Sequence, residues 1–381
     1  MFNNTVDRTS SPSPATSAID PRPDNANHVL ALDGLRGIAA VAVVLYHSRL
    51  GDRLGVFTHG WLAVDFFLCL SGYVIGLAYD KRMASGMTAS AFAKVRVLRL
   101  YPMVLIGGTI GIVMFPLVPQ LHFCLQGHPE RTLPAIGSQL AMMPMVAGPC
   151  LYVFNGVFWS LFFELIANVV HFAVLWRCST RVLGVLLLAL IAVIGGLGLQ
   201  HGWIYFGVWP SLFWQGLPRC LLSYLLGYTL FRTRERWMPL LPPLSFTVVA
   251  GILFVALIVP PLAGALPSTG SARFVTIGQE MAMVVVLFPL IVALGVVSRI
   301  KGRWPLVLGV ASYPLYATHV PFVLAVTAAF VEWPTPAFVA VRLAGIAGVI
   351  ALAWVLAVTI DLPLNRWRRR LSAPAVARVR R

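Results

Sequence analysis

Charge is scarce in this chain. Lys, Arg, Asp and Glu make up 11% of its 381 residues, against the ~25% usual in a soluble domain. Apolar residues take their place, at 59% with a mean hydropathy of +0.83, which excludes a soluble globular class. Cysteine is too sparse for a disulfide scaffold: there are five. Three of them, Cys69, Cys178 and Cys220, fall in or beside apolar runs and read as small packing residues. Cys124 and Cys150 share the longest outside loop, 120–150, where a disulfide can form in an oxidising periplasm. Metal-ligand spacings, a phosphate-binding glycine loop and a dinucleotide fingerprint are all missing, so no metal and no nucleotide fold is implied. No internal repeat appears, which weakens an inverted-repeat transporter. A basic stretch followed by a small-residue cleavage site is also lacking, which argues against a cleaved signal peptide.

What is present is a series of apolar runs long enough to span a bilayer, roughly 17–25 residues each. Ten are expected, near 29–48, 61–79, 101–119, 152–176, 182–200, 211–231, 244–262, 274–297, 306–330 and 337–360. The first 27 residues are rich in Ser, Pro and Asn and read as a disordered start. The net charge of +16 raises the question of nucleic acid, but its distribution answers otherwise. With both termini in the cytoplasm, 23 of the 29 Lys and Arg fall on inside segments and four on outside loops. An asymmetry of that size is a topology signal. The tail from Arg366 to Arg370 is expected on the inner leaflet, with membrane lipid as its partner. The expected fold is therefore an all-α integral membrane protein of about ten transmembrane helices.

Inside the first run, eleven residues separate Arg36 from His47. That is about three helical turns, so both lie on one face, roughly 16 Å apart along the axis. Asp33 shares the face. Ionisable groups are costly in lipid and should look into a polar interior. Asp65 is expected at the depth of His47, where it would orient the imidazole. Ser160, Glu164 and Asn168 align on one helix face, and Ser312, Tyr316 and His319 on another. Arg219, Glu280 and Arg342 fall in the outer halves of their spans. Such a gathering defaults to a functional site. Each member has a structural alternative: His319 as a packed core histidine, Glu164 with Arg219 or Arg342 as ion-paired helix glue, Asp65 as a cap. Gly72, Gly107, Gly108 and Gly111 are expected to permit close helix approach. Trp61, Trp203, Trp304 and Trp333 read as interface anchors. The loop between the second and third runs ends in Arg96 and Arg99 at i, i+3, which on a short helix form a two-pronged cationic face at the membrane surface suited to phosphate oxygens, or else a positive-inside flank alone.

These residues resemble the acyltransferase 3 family of polytopic membrane acyltransferases, over roughly 29–370. The resemblance rests on five motifs in order. They are Leu32-Asp-Gly-Leu-Arg36-Gly-Ile-Ala-Ala40 with its Arg-x10-His47, then Val64-Asp-Phe-Phe-Leu-Cys-Leu-Ser-Gly72, and Arg96-x-x-Arg99 before Tyr101-Pro102. Trp159-Ser-Leu-Phe-Phe-Glu164 and Ser312-Tyr-Pro-Leu-Tyr-Ala-Thr-His319 complete the set. Departures are modest: Cys69 and Leu70 stand where Val and Leu are common, and Phe162-Phe163 precede Glu164.

The resemblance implies transfer of an acyl group, usually acetyl from acetyl-coenzyme A, to a hydroxyl of a carbohydrate-type acceptor. It gives His47 the central role, as general base or transient acyl carrier. Asp65, Glu164 and His319 join it as the catalytic set, while Arg36, Arg96 and Arg99 bind acyl-coenzyme A. Trp159, Ser160, Tyr316, Arg219 and Arg342 are assigned to the acceptor. The expected organisation is a start at 1–27, a ten-helix acyltransferase domain at 28–365 and a basic tail at 366–381, as the stand-alone form in a bacterial inner membrane. The competing class is a proton-coupled transporter or flippase using His47, Asp65, Glu164 and His319 as a relay. A third, weaker reading is a degenerate component of a polysaccharide-export complex.

Overall fold

The computed structural model describes residues 26–51, 59–259, 270–330 and 335–372. The expected disordered start, Arg53, Trp333 and the tail beyond Ser372 lie outside these residues. Regular structure among the described residues is helical apart from one isolated bridge between Ser245 and Arg299. The longer helices are α1 Ala26–His47, α2 Ala63–Ala84, α3 Ala89–Met114, α4 Thr132–Ala141 and α5 Phe158–Ala173. They continue with α6 Thr180–His201, α7 Gly216–Arg232 and α8 Phe246–Ile258. Next come α9 Gly270–Ala282 and α10 Phe288–Val297, then α11 Trp304–Ala329, α12 Thr335–Leu356 and α13 Leu362–Ser372. Two π-helical turns, Met283–Leu287 and Ala357–Asp361, join α9 to α10 and α12 to α13. Each precedes a proline (Pro289, Pro363), which withholds one backbone donor and lets the ladder widen locally.

Among the described residues, eight helical segments are long and apolar enough to cross a membrane. This is a multi-pass all-α membrane protein, as hydrocarbon demands of a backbone that must satisfy its own hydrogen bonds. The sixth and seventh expected runs form shorter helices, α7 of 17 residues and α8 of 13. One boundary differs in a way that matters. The basic stretch before the third run is not a surface loop: α3 starts at Ala89, capped by Thr88, and continues through Pro102. Arg96 and Arg99 therefore stand on the spanning helix itself.

Packing centres on α11, against which α1, α3 and α12 all lie. The second main contact, α2 on α7, is backbone to backbone. A Cβ on Gly72 would sit 2.0 Å from the Tyr224 carbonyl oxygen, and one on Gly227 would sit 1.8 Å from that of Cys69. Gly107 and Gly111 allow similar approaches, whereas Gly108 meets ordinary side-chain contacts from 3.4 Å. Pro321 inside α11 cannot bond the Ala317 carbonyl. Asn155 Nδ2 satisfies that oxygen at 2.8 Å and reaches the Gly107 carbonyl at 3.2 Å, tying the chain before α5 to α3 and α11. Cys124 and Cys150 are disulfide-bonded, while Cys69 and Cys220 are free and buried. Trp203 and Trp304 are partly exposed, as anchors should be, but Trp61 is buried.

Candidate active site

Two cavities lie along α1, one at each motif residue. The first, about 190 Å³, is lined by Arg36, Arg96, Arg99, Asp33, Glu164, Ser160, Ser312, Tyr313 and Tyr316, among others. The second, about 350 Å³, is lined by His47, Trp61, Tyr152, Trp159, Tyr205, Trp209 and Tyr316, with aliphatic side chains between. Val64 and Tyr316 line both.

In the first cavity every arginine leans on a carboxylate. Arg36 Nη2 is 2.9 Å from Asp33 Oδ1, and its Nε donates to Ser312 Oγ at 2.8 Å. Arg96 Nη2 donates to Glu164 Oε1 at 2.8 Å, and the same oxygen accepts from Ser71 at 3.0 Å. Arg99 Nη1 reaches both oxygens of Asp361, at 2.9 and 3.1 Å, with its guanidinium 5.1 Å from the Tyr313 ring centre. Asp361 closes the π-helical turn before α13, and Asn365 holds its second oxygen. The expected two-pronged pair is thus split between two partners on different helices. Arg96 Nε is buried with no hydrogen-bond partner. Guanidinium groups lining such a cavity can pair with phosphate or carboxylate oxygens.

At the second cavity the pair that forms is His47 with His319. His319 Nε2 lies 3.1 Å from His47 Nδ1, on chain positions 272 residues apart. Their neighbours assign the protons. His319 Nδ1 sits between two carbonyl oxygens, Leu315 at 3.1 Å and Tyr316 at 2.9 Å, so it carries hydrogen and its Nε2 is an acceptor. His47 Nδ1 then donates to that nitrogen and to the Val43 carbonyl at 3.0 Å. The lone pair of His47 is thereby left on Nε2, on a side chain that lines the cavity. His319, fully buried, lines neither cavity and acts behind His47.

The expectation that Asp65 orients His47 is corrected by this geometry. Both Asp65 oxygens are taken: by Arg219 Nη2 at 2.6 Å, by its Nε at 3.2 Å, and by Ser223 Oγ at 2.8 Å. Arg219, expected at the acceptor, is buried too and donates to the Phe206 carbonyl at 2.9 Å. Its guanidinium is surrounded by Trp61, Trp159 and Tyr205, at 5.0, 5.4 and 5.7 Å from the ring centres. The ion pair therefore stands behind the aromatic wall and lines neither cavity. Arg342 is also away from both. It donates to the Ser48 carbonyl and, at 2.6 Å, to Thr327 Oγ1, holding the end of α1 to α11 and α12. Glu280 accepts the Ile204 backbone N–H at 3.0 Å and so braces the loop that carries Tyr205.

The four groups of the proposed relay are accordingly not joined: His47 meets His319, while Asp65 and Glu164 each hold an arginine. Of the residues assigned to the acceptor, Trp159 lines the second cavity, Ser160 the first, and Tyr316 both. Sequence reasoning missed Tyr205, Tyr152 and Trp209, which lie on irregular segments with no periodicity to mark them, and it gave Trp61 to the interface. Burial pushes the Tyr205 phenol up, so it remains a neutral hydroxyl. Asp361 was also missed, because its place at the Arg99 guanidinium depends on the π turn.

The helical membrane bundle thus holds an arginine-lined cavity and a histidine-lined cavity along one helix. Comparison with known proteins supplies the family. Residues 29–358 match the acyltransferase 3 family, described as an acyltransferase domain, and the chain belongs to that family. It is also similar to "Protein 2 in picA locus" of Rhizobium radiobacter, at 31% identity over 182 residues, covering 43% of this chain and 91% of that protein. No solved structure matches.

Proposed function

We propose that this membrane acyltransferase moves an acetyl group from acetyl-coenzyme A to a hydroxyl of a carbohydrate-type acceptor, in a bacterial inner membrane with both termini cytoplasmic. One observation carries the reading: two cavities that share a wall, one basic and one holding an imidazole with its lone pair directed by His319. The arginine cavity faces the cytoplasm on the positive-inside count and takes the donor. Arg36, Arg96 and Arg99 supply its positive charge. The donor's phosphates compete with Asp33, Glu164 and Asp361 for the guanidinium faces.

The acceptor occupies the histidine cavity. Its walls of Trp61, Trp159, Tyr205 and Trp209 suit the flat apolar face of a sugar ring. His47 Nε2 removes the proton from the acceptor hydroxyl as its oxygen attacks the thioester carbonyl. The tetrahedral intermediate expels the coenzyme A thiolate, which takes the proton back from the imidazolium. The separation of Arg36 from His47, roughly 16 Å along α1, is within the span of an extended pantetheine arm.

Purified protein in detergent is expected to release coenzyme A thiol from acetyl-coenzyme A when deacetylated surface glycan of the source cell is added. Loss of the gene is expected to lower the mass of that glycan by whole acetyl increments. A protein with no turnover outside a sealed membrane, and an unchanged glycan mass, would overturn the reading and favour transport.

A further inference from the structure

Among the described residues only Val64 and Tyr316 line both cavities, and of the two only Tyr316 carries a polar group. The Tyr316 hydroxyl is 2.5 Å from Ser160 Oγ. Ser160 has a single proton, which it donates to the Val157 carbonyl at 2.9 Å. The proton between the two hydroxyls is therefore that of Tyr316, and Ser160 is its acceptor. Phe67 packs edge-on against the phenol ring, with centres 5.2 Å apart. On the other side the Tyr316 ring lies 6.0 Å from that of His319, which in turn lies 5.0 Å from that of His47. Tyr316 thus stands between the arginine cavity and the His47 cavity, with its O–H held by Ser160 on the side of the first.

We infer that Tyr316 is the oxyanion donor of the transfer, with Ser160 as the residue that holds its proton until the charge develops. The inference rests on the acyl-transfer reading given above. As the acceptor oxygen bonds to the carbonyl carbon, the π electrons move onto the carbonyl oxygen and His47 Nε2 takes the hydroxyl proton. The Tyr316 O–H turns about its C–O bond from Ser160 to that oxygen. Collapse returns the electron pair to the C=O bond and breaks the C–S bond. The thiolate takes the proton from His47, and the phenol returns to Ser160. Ester and thiol are the products, and Tyr316 neither gains nor loses a proton. Charge developing away from water is where a preorganised donor has its largest effect.

The test uses full-length protein in detergent, with acetyl-coenzyme A and deacetylated surface glycan as substrates. Tyr316→Phe keeps the ring and removes only the hydroxyl. Its kcat is expected to fall about 10²–10³-fold. Its KM for acetyl-coenzyme A is expected to stay within about threefold of wild type, as for a group that acts in the transition state alone. Ser160→Ala leaves the phenol in place and is expected to cost less than about tenfold. Fluorotyrosine at 316, which acidifies the phenol without removing it, is expected to change kcat while leaving donor KM unaltered. This variant decides the matter if Tyr316→Phe melts below the assay temperature. An unchanged kcat in Tyr316→Phe or in the fluorotyrosine protein, with His47→Ala inactive, overturns the oxyanion role and leaves the acyl-transfer reading standing. Absence of turnover in the wild-type protein instead overturns that reading and this inference with it.

Discussion

Asp65→Asn separates the two roles open to that carboxylate. Asp65 and Arg219 are 0% and 1% exposed, and the pair makes three nitrogen–oxygen contacts of 2.6 to 3.2 Å with Ser223 completing the shell. Replacing the carboxylate by an amide leaves a buried guanidinium without its counter-charge. Breaking such a pair costs ~3–5 kcal/mol, a large part of a stability of roughly 5–15 kcal/mol. At about 1.4 kcal/mol per decade this lowers the ratio of folded to unfolded protein by about 10²–10⁴-fold. Removing both charges, as Asp65→Leu with Arg219→Met, replaces the pair by apolar volume and is expected to restore most of the loss. Tryptophan-fluorescence melts in detergent measure the stability, and thiol release per folded molecule measures the chemistry. The expected result is a destabilised Asp65→Asn and a double variant that recovers stability. An Asp65→Asn protein as stable as wild type but inactive would refute the argument and return Asp65 to the chemistry at His47.

Three further outcomes follow from the packing and the histidine pair. Gly72→Ala places a methyl 2.0 Å from the Tyr224 carbonyl oxygen, and is expected to lower stability by at least ~1–3 kcal/mol; an unshifted melt would contradict the α2–α7 contact. His319→Ala removes the acceptor that holds the His47 tautomer and is expected to lower kcat by about 10²-fold or more, with donor KM little changed. His319→Gln, which supplies a carbonyl oxygen on a similar stem, should recover part of it, and equal loss in both would count against a positioning role. The disulfide between Cys124 and Cys150 spans 26 residues, so its removal by Cys124→Ser is expected to cost the loop about 3.5 kcal/mol on the chain-entropy estimate. Protease nicking within 119–157 under reducing and oxidising conditions reads this directly, and equal rates would contradict it.

Hydropathy located the spanning helices well because the property it measures, apolar length, is what a bilayer selects. The motif residues Arg36 and His47 were also legible, since one helix face carries both whatever packs against it. Partnership was not legible. Asp65 finds Arg219 at a separation of 154 residues and His319 finds His47 at 272, and no local pattern distinguishes those pairings from Asp65 with His47. The arginines before Tyr101 were expected on a short helix at the membrane surface, yet they stand on the long helix α3, each paired with a carboxylate. Trp61 looked like an anchor by its place at a span end, but the short turn Gly60–Leu62 carries it into the bundle over the Arg219 guanidinium. Tyr205 and Trp209 entered through an irregular segment braced by Glu280, a contact that only the tertiary fold creates.

The central claim is that His47, with its lone pair on Nε2, carries out the transfer. Thiol release from acetyl-coenzyme A by purified His47→Ala, with deacetylated surface glycan as acceptor, tests it most directly. The account predicts a fall of at least about 10²-fold in protein that stays folded and inserted, since the Asp65–Arg219 pair is intact and the cost is that of the buried His319 acceptor, about 1–3 kcal/mol. Turnover by His47→Ala at the wild-type rate would contradict it.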